Sequence, residues 1–198
     1  LWEQVDLILL THGDPDHAEY APHVARASGA PIVCGLELMN KWQKRGLTAI
    51  PIAPGETVEA AGVSVSGVPA RHGGLPLTLF GHAYTFKPKF VGAGAVGLLF
   101  NLDNCRLLNL GDTLYLEDAW CGLRPDLLMV PIGGMMTMDV DEALQAVAVI
   151  EPRVVIPMHY NWHLLFYHRP ADVSRFAAGV RELGSECIVL DRGESYAI

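Results

Sequence analysis

The chain has 198 residues, enough for one domain with a sizeable core, and its composition of 51% hydrophobic and 18% charged residues excludes a disordered polymer. Acidic residues outnumber basic ones 22 to 14, giving a formal net charge of −8, and a surface of that sign argues against nucleic acid as the main partner. No apolar run reaches the roughly 18 residues of a membrane helix, no signal-peptide pattern opens the chain, and the widely spaced Cys34, Cys105, Cys121 and Cys187 read as small buried hydrophobes in a reducing, cytoplasmic compartment.

In chain order, residues 5–11 are a nearly continuous apolar run, as expected for a strand buried on both faces. The run stops at His-Gly-Asp-Pro-Asp-His (residues 12–17), where Gly13 and Pro15 forbid further strand. A helix follows, with Pro22 early in it and Gly29 as its stop; residues 31–34 then read as a short strand and 36–45 as a helix ended by Gly46. Residues 63–68 alternate apolar and small polar side chains, a half-buried strand that runs into Ala-Arg-His72. Residues 73–94, rich in glycine, proline and aromatics, read as a long irregular loop of the kind that borders binding sites.

Strands at 97–102 and 106–110 flank the turn Asp103-Asn104, and the second ends at Gly-Asp112-Thr. Residues 127–131 form another apolar strand, and 139–150 have the acidic first turn and apolar spacing of a helix. A strand at 153–157 leads to Met-His159-Tyr; 172–183 read as a helix, and 186–190 and 194–198 as closing strands. Strands alternating with helices predict an α/β chain, residues 1–198 forming a single domain.

Four of these strands end in a residue able to bind a metal: the first at His12, Asp14, Asp16 and His17, the others at His72, Asp112 and His159. Singly, each has an ordinary reading, since a histidine at a strand end is commonly a loop residue and Asp-Pro-Asp is a common turn or helix cap. Together they place a two-metal ligand set on one sheet rim, and mixed imidazole and carboxylate donors suit zinc, iron or manganese. His163 and His168 follow the last ligand, and His82, Lys87 and Lys89 lie in the 73–94 loop; each could meet substrate or be an ordinary loop residue. Tyr160 reads as a packed aromatic or a hydrogen-bond donor to substrate, and His23 as structural.

Thr-His-Gly-Asp-Pro-Asp-His17 resembles the His-x-His-x-Asp-His motif of the metallo-β-lactamase superfamily, with its later ligands matched by His72, Asp112 and His159. The finer resemblance is to metal-dependent hydrolases related to ascorbate-6-phosphate lactonase, through Gly111-Asp-Thr, Pro131-Ile-Gly-Gly with Thr137-Met, and Ile156-Pro-Met-His-Tyr. The resemblance implies a four-layer αββα sandwich and hydrolysis of a small-molecule ester, lactone or phosphoester by metal-activated water. It implies one ion on His12, Asp14 and His72, a second on Asp16, His17 and His159, Asp112 bridging them, and Asp16 as catalytic base. Two departures stand out. Asp14 replaces the usual middle histidine, a harder ligand that moves preference from zinc towards iron or manganese. Only eleven residues precede His12, fewer than the family's first strands need: either the chain is a piece of a longer protein, or another chain supplies the missing edge, as partner strands or a homo-oligomer would. Asp14 also motivates a non-haem diiron redox module as an alternative, and a non-catalytic metal-binding scaffold is the third reading.

Overall fold

A computed structural model describes residues 2–79, 82–87, 91–161 and 170–198. A three-stranded parallel sheet has the order β1 (Ile8–Leu10), β2 (Ile32–Gly35), β3 (Ala49–Ile52). Against it lies a seven-stranded mixed sheet built from β4 (Thr57–Ala60), β5 (Val63–Val68), β8 (Gly97–Leu102), β9 (Cys105–Asn109), β10 (Leu127–Pro131), β11 (Val154–Met158) and β12 (Glu186–Cys187), in the order β12-β11-β10-β9-β8-β5-β4. β6 (Leu75–Leu79) and β7 (His82–Phe86) pair as a separate hairpin.

The period of two in each strand sorts side chains into layers. In β2, Ile32 and Cys34 join Leu38 and Trp42 of α3 (Leu36–Gln43) and Ala25 of α2 (Ala21–Ser28), whereas Val33 between them faces Val65 and Leu98 of the other sheet. In the large sheet, Leu108, Leu128, Val130 and Val155 face a core shared with Trp120 of α4 (Glu117–Trp120), Val147 of α5 (Val140–Ile150) and Phe176 of α6 (Val173–Glu182). The result is the expected four-layer αββα sandwich. Two helix starts are capped by side chains: Asp139 and Glu142 form a reciprocal capping box on α5, and Asp172 accepts from the Arg175 N–H on α6. Among the described residues, no helix is long and apolar enough to cross a membrane.

Several expectations are corrected. β1 is three residues long and lies at a sheet edge with Ile8 and Leu9 only half-buried, yet both of its faces are covered: Ile8 and Leu10 pack on the helix side, Leu7 and Leu9 on the side of the larger sheet. The 73–94 stretch contains the β6–β7 hairpin, and β3, β4 and α4 were not anticipated. The closing strand shrinks to Glu186–Cys187, and residues 194–198 are coil. All four cysteines are free, but only Cys34 and Cys187 are buried; Cys121 is exposed.

Candidate metal centre

β5 runs antiparallel to β8 and β8 to β9, while β9, β10 and β11 are parallel, so β5, β9, β10 and β11 all end at one rim. His72, Asp112 and His159 lie just beyond three of those ends. The other four candidates come from the smaller sheet, in the turn after β1 and in the short helix α1 (Pro15–Ala18). The site therefore sits on the seam between two sheets rather than on one rim. Gly111 closes that seam: its φ is +60°, and a β-carbon there would come within 2.6 Å of the Thr11 side chain. The Val96 N–H reaches the Thr11 carbonyl at 2.9 Å, and the Gly13 N–H reaches the Ala93 carbonyl at 3.0 Å.

All seven candidate side chains converge. Asp112, 3% exposed, faces four imidazole Nε2 atoms: those of His159 at 3.1 Å, His17 at 3.4 Å, His72 at 3.6 Å and His12 at 4.0 Å. Asp14 Oδ2 lies 3.4 Å from His72 Nε2 and 3.9 Å from His12 Nε2. Asp16 Oδ2 lies 3.6 Å from His17 Nε2 and 3.8 Å from His159 Nε2. Three overlapping donor sets, each compact enough to hold a cation, follow: His12, Asp14 and His72; Asp16, His17 and His159; and His12, His17 and Asp112.

Neighbouring groups aim these donors. His72 Nδ1 is 2.8 Å from the Gly73 carbonyl and so donates its proton there, which turns the Nε2 lone pair inward. His12 Nδ1 has Thr11 Oγ1 at 3.1 Å. Asp14 sits at the cap position of α1 yet makes no cap bond; its Oδ1 accepts instead from the Gly92 N–H at 2.6 Å, leaving Oδ2 to face His12 and His72. Gly92 has φ +63°, and any β-carbon there would collide with the His72 ring. The Lys87 ammonium donates to the His72 carbonyl at 2.7 Å. Thr113, fully buried, accepts from the Arg71 N–H at 2.9 Å and donates to the Leu114 carbonyl at 2.8 Å, tying the His72 segment to the Asp112 segment.

The electrostatics are those of clustered charges out of water. Burial pushes His12 down to about 3, with His17 adding to the effect. Burial also opposes protonation of His159, but hydrogen bonds to Asp112 and Asp16 outweigh it and raise the ring to about 10. His72 is raised in the same way, burial being overcome by Asp112. Asp112 is held far below the usual carboxylate range: burial works against ionisation, and His159 and His72 overcome it. The hydrogen bond from His159 lowers Asp16. Buried His12 Nε2, His72 Nε2 and Asp112 Oδ1 have no hydrogen-bond partner among the described residues, an expensive condition for polar atoms unless a cation meets them.

Of the other candidates, Tyr160 is a packed aromatic whose hydroxyl donates to the Leu190 carbonyl at 3.3 Å. His23 is an exposed residue of α2, and His82 is exposed on β7. His163, His168 and Lys89 lie outside the described residues. Sequence reasoning missed Gly92, whose contact with Asp14 spans 78 positions; the only trace was the glycine- and alanine-rich run at residues 91–95. Beside the centre a cleft of about 490 Å³ opens between Glu37, Pro54, Lys87 and residues 91–96. None of the seven candidate ligands lines it, but Lys87 and Gly92, which hold His72 and Asp14, do.

Comparison with known proteins shows the family and the fold. A family model described as a β-lactamase superfamily domain matches residues 1–159. A UPF0173 metal-dependent hydrolase of Thermoplasma acidophilum is 35% identical over 187 residues, covering 93% of this chain and 77% of the relative. One from Archaeoglobus fulgidus is 32% identical over 197 residues, covering 98% and 82%. The solved structure of Igni18, a metallo hydrolase from Ignicoccus hospitalis, superposes with a TM-score of 0.77 at 28% identity over 96% of this chain and 78% of that one.

Proposed function

Since the chain belongs to the metallo-β-lactamase superfamily and is a metal-dependent hydrolase, we propose that its seven clustered side chains form a dinuclear centre for hydrolysing a small-molecule ester, lactone or phosphoester. One observation carries this reading: the buried Asp112 carboxylate lies within 4.0 Å of imidazole nitrogens from both three-donor sets, and His12 Nε2 and His72 Nε2 have no hydrogen-bond partner among the described residues. His12, Asp14 and His72 would hold one ion, and Asp16, His17 and His159 the other, with Asp112 serving both. When bound, such ions supply Lewis acidity to a substrate oxygen and bring the pKa of water towards about 7.

The protein's own groups do the rest. Asp16 is the most open of the seven, 46% exposed, and its lowered pKa keeps it ionised at neutral pH. On this reading it orients an attacking water and accepts its proton. Asp112 stays ionised across the working range and opposes the cationic charge gathered around it. The cleft beside Lys87 receives the substrate, where the ammonium favours an anionic group. Asp14, a hard oxygen donor, favours manganese or iron over zinc.

The test combines element-resolved mass spectrometry of protein purified without chelator with a screen of chromogenic esters, lactones and phosphoesters. Close to two equivalents of metal and hydrolysis abolished by chelator are expected. A folded protein with neither metal nor hydrolysis overturns the reading; iron with oxygen consumption and no hydrolysis transfers the site to the diiron alternative.

A further inference from the structure

Residues 132–138 carry no candidate ligand, yet they touch all three ligand-bearing segments of the large sheet. The Ile132 N–H donates to the Met158 carbonyl at 3.1 Å, next to His159. The Met138 N–H donates to the Thr113 carbonyl at 3.0 Å, next to Asp112, and the Met136 carbonyl accepts from the Gly73 N–H at 2.8 Å, next to His72. Two of these approaches tolerate no added carbon. A β-carbon on Gly133 would run into the His159 carbonyl, and one on Gly73 would come within 2.5 Å of the Met136 carbonyl.

The stretch is tightly wound rather than slack. The Gly134 N–H donates to the Met138 carbonyl at 2.8 Å, and the Thr137 N–H to the Gly134 carbonyl at 3.1 Å. The buried Thr137 hydroxyl donates to that same Gly134 carbonyl at 3.1 Å. Met135 holds φ +63° and His159 φ +57°, left-handed values that side-chain-bearing residues adopt only when their surroundings impose them.

We infer that residues 132–138 are a positioning clamp that sets the distances among His72, Asp112 and His159, with Gly133 and Thr137 as its two determinants. Gly133 admits the His159 backbone at contact distance, and Thr137 locks the turn that carries the Met136 carbonyl to Gly73. None of these residues touches a reacting atom; they act through the donors they place. The inference rests on the metal-centre reading given above. Gly133 itself has no left-handed φ, so an alanine there strains nothing of its own backbone and acts by displacing His159.

Cobalt titration followed by ligand-field absorbance, alongside thermal unfolding, tests it. Gly133→Ala and Thr137→Val are expected to weaken cobalt binding about 10- to 100-fold, the range for groups that orient ligands, while Thr137→Ser keeps wild-type affinity. Gly184→Ala, on a remote glycine with φ +87° and open space around it, is expected to lower the unfolding temperature without changing affinity. Wild-type affinity in Gly133→Ala overturns the clamp, as does an equal loss of affinity in Gly184→Ala. A wild type that takes up no cobalt defeats the metal-centre reading instead. The clamp is then judged on the His72 and His159 imidazole resonances of the metal-free protein: movement in Gly133→Ala but not Gly184→Ala supports it, and unchanged resonances in Gly133→Ala overturn it.

Discussion

Replacing Asp112 by asparagine in metal-free protein isolates the charge that organises the centre. The carboxylate is buried and faces four imidazoles at 3.1 to 4.0 Å. Its largest effect is on His159, which rises from 6.5 to about 10. A histidine raised on folding contributes stability that is complete below its unfolded pKa and lost as pH climbs through the folded one. At about 1.4 kcal/mol per pH unit, the interval from 6.5 to about 10 corresponds to about 5 kcal/mol, to which Asp16 contributes alongside Asp112 and from which burial subtracts. Breaking a buried pair by removing one partner costs about 3–5 kcal/mol, the same order. In a chain of this length that lowers the melting temperature on the order of 10 °C. The assay is urea unfolding followed by tryptophan fluorescence, with chelator, at about pH 6 and about pH 10.5. Asp112→Asn should be destabilised by the full amount at the lower pH and by a small fraction of it at the higher. Equal stability at the lower pH, or a gap that ignores pH, refutes the reasoning.

Metal uptake at neutral pH should release protons, because His159 starts raised to about 10 and the raised His72 adds to the release; calorimetry in two buffers of different ionisation enthalpy measures this, and no release contradicts it. Asp14→His should shift the metal retained on purification towards zinc, read by elemental analysis. Asp16→Asn should lower kcat by about 10²- to 10⁴-fold against the best substrate found; an unchanged kcat removes Asp16 as the base. Gly92→Ala forces a β-carbon into His72 at a left-handed φ, costing about 1–3 kcal/mol in strain alone, and should cost metal affinity in the same titration.

The centre was legible because its donors sit where strands stop. His12 to His17 follow a run too apolar to be loop, and Gly111 and Met158 introduce Asp112 and His159 at comparable boundaries. The layers were legible for the same reason, since the alternation of Ile32, Val33 and Cys34 is what separates helix-facing from sheet-facing side chains. The failures are instructive. β3 reads Ala-Ile-Pro-Ile, and a proline argues against a strand even when it sits near an end. The β6–β7 hairpin also carries a proline, Pro76, at the second position of its first strand and lies in a glycine-rich stretch, which hid its pairing. Residues 194–198 carry the strand-prone Tyr196 and Ile198 but are coil, because residue preference carries no information about a pairing neighbour. The Gly92–Asp14 bond and the 132–138 contacts join segments far apart in sequence, so no local pattern encodes them.

The placement of the centre on the seam also bears on how long the folded protein lasts. Four donors belong to the end of β1 and three to the larger sheet, so bound ions would fasten the two sheets across their junction as a rivet does. Between Asp16 and His159, assigned to one ion, such a fastening closes a loop of most of the chain, where a cross-link restricts the unfolded ensemble most strongly in the chain-entropy view. β1 is an edge strand held to its own sheet by pairing with β2 alone. Chelation should therefore let that strand and the turn after it open first, exposing them to protease while the helices packed on the larger sheet remain protected.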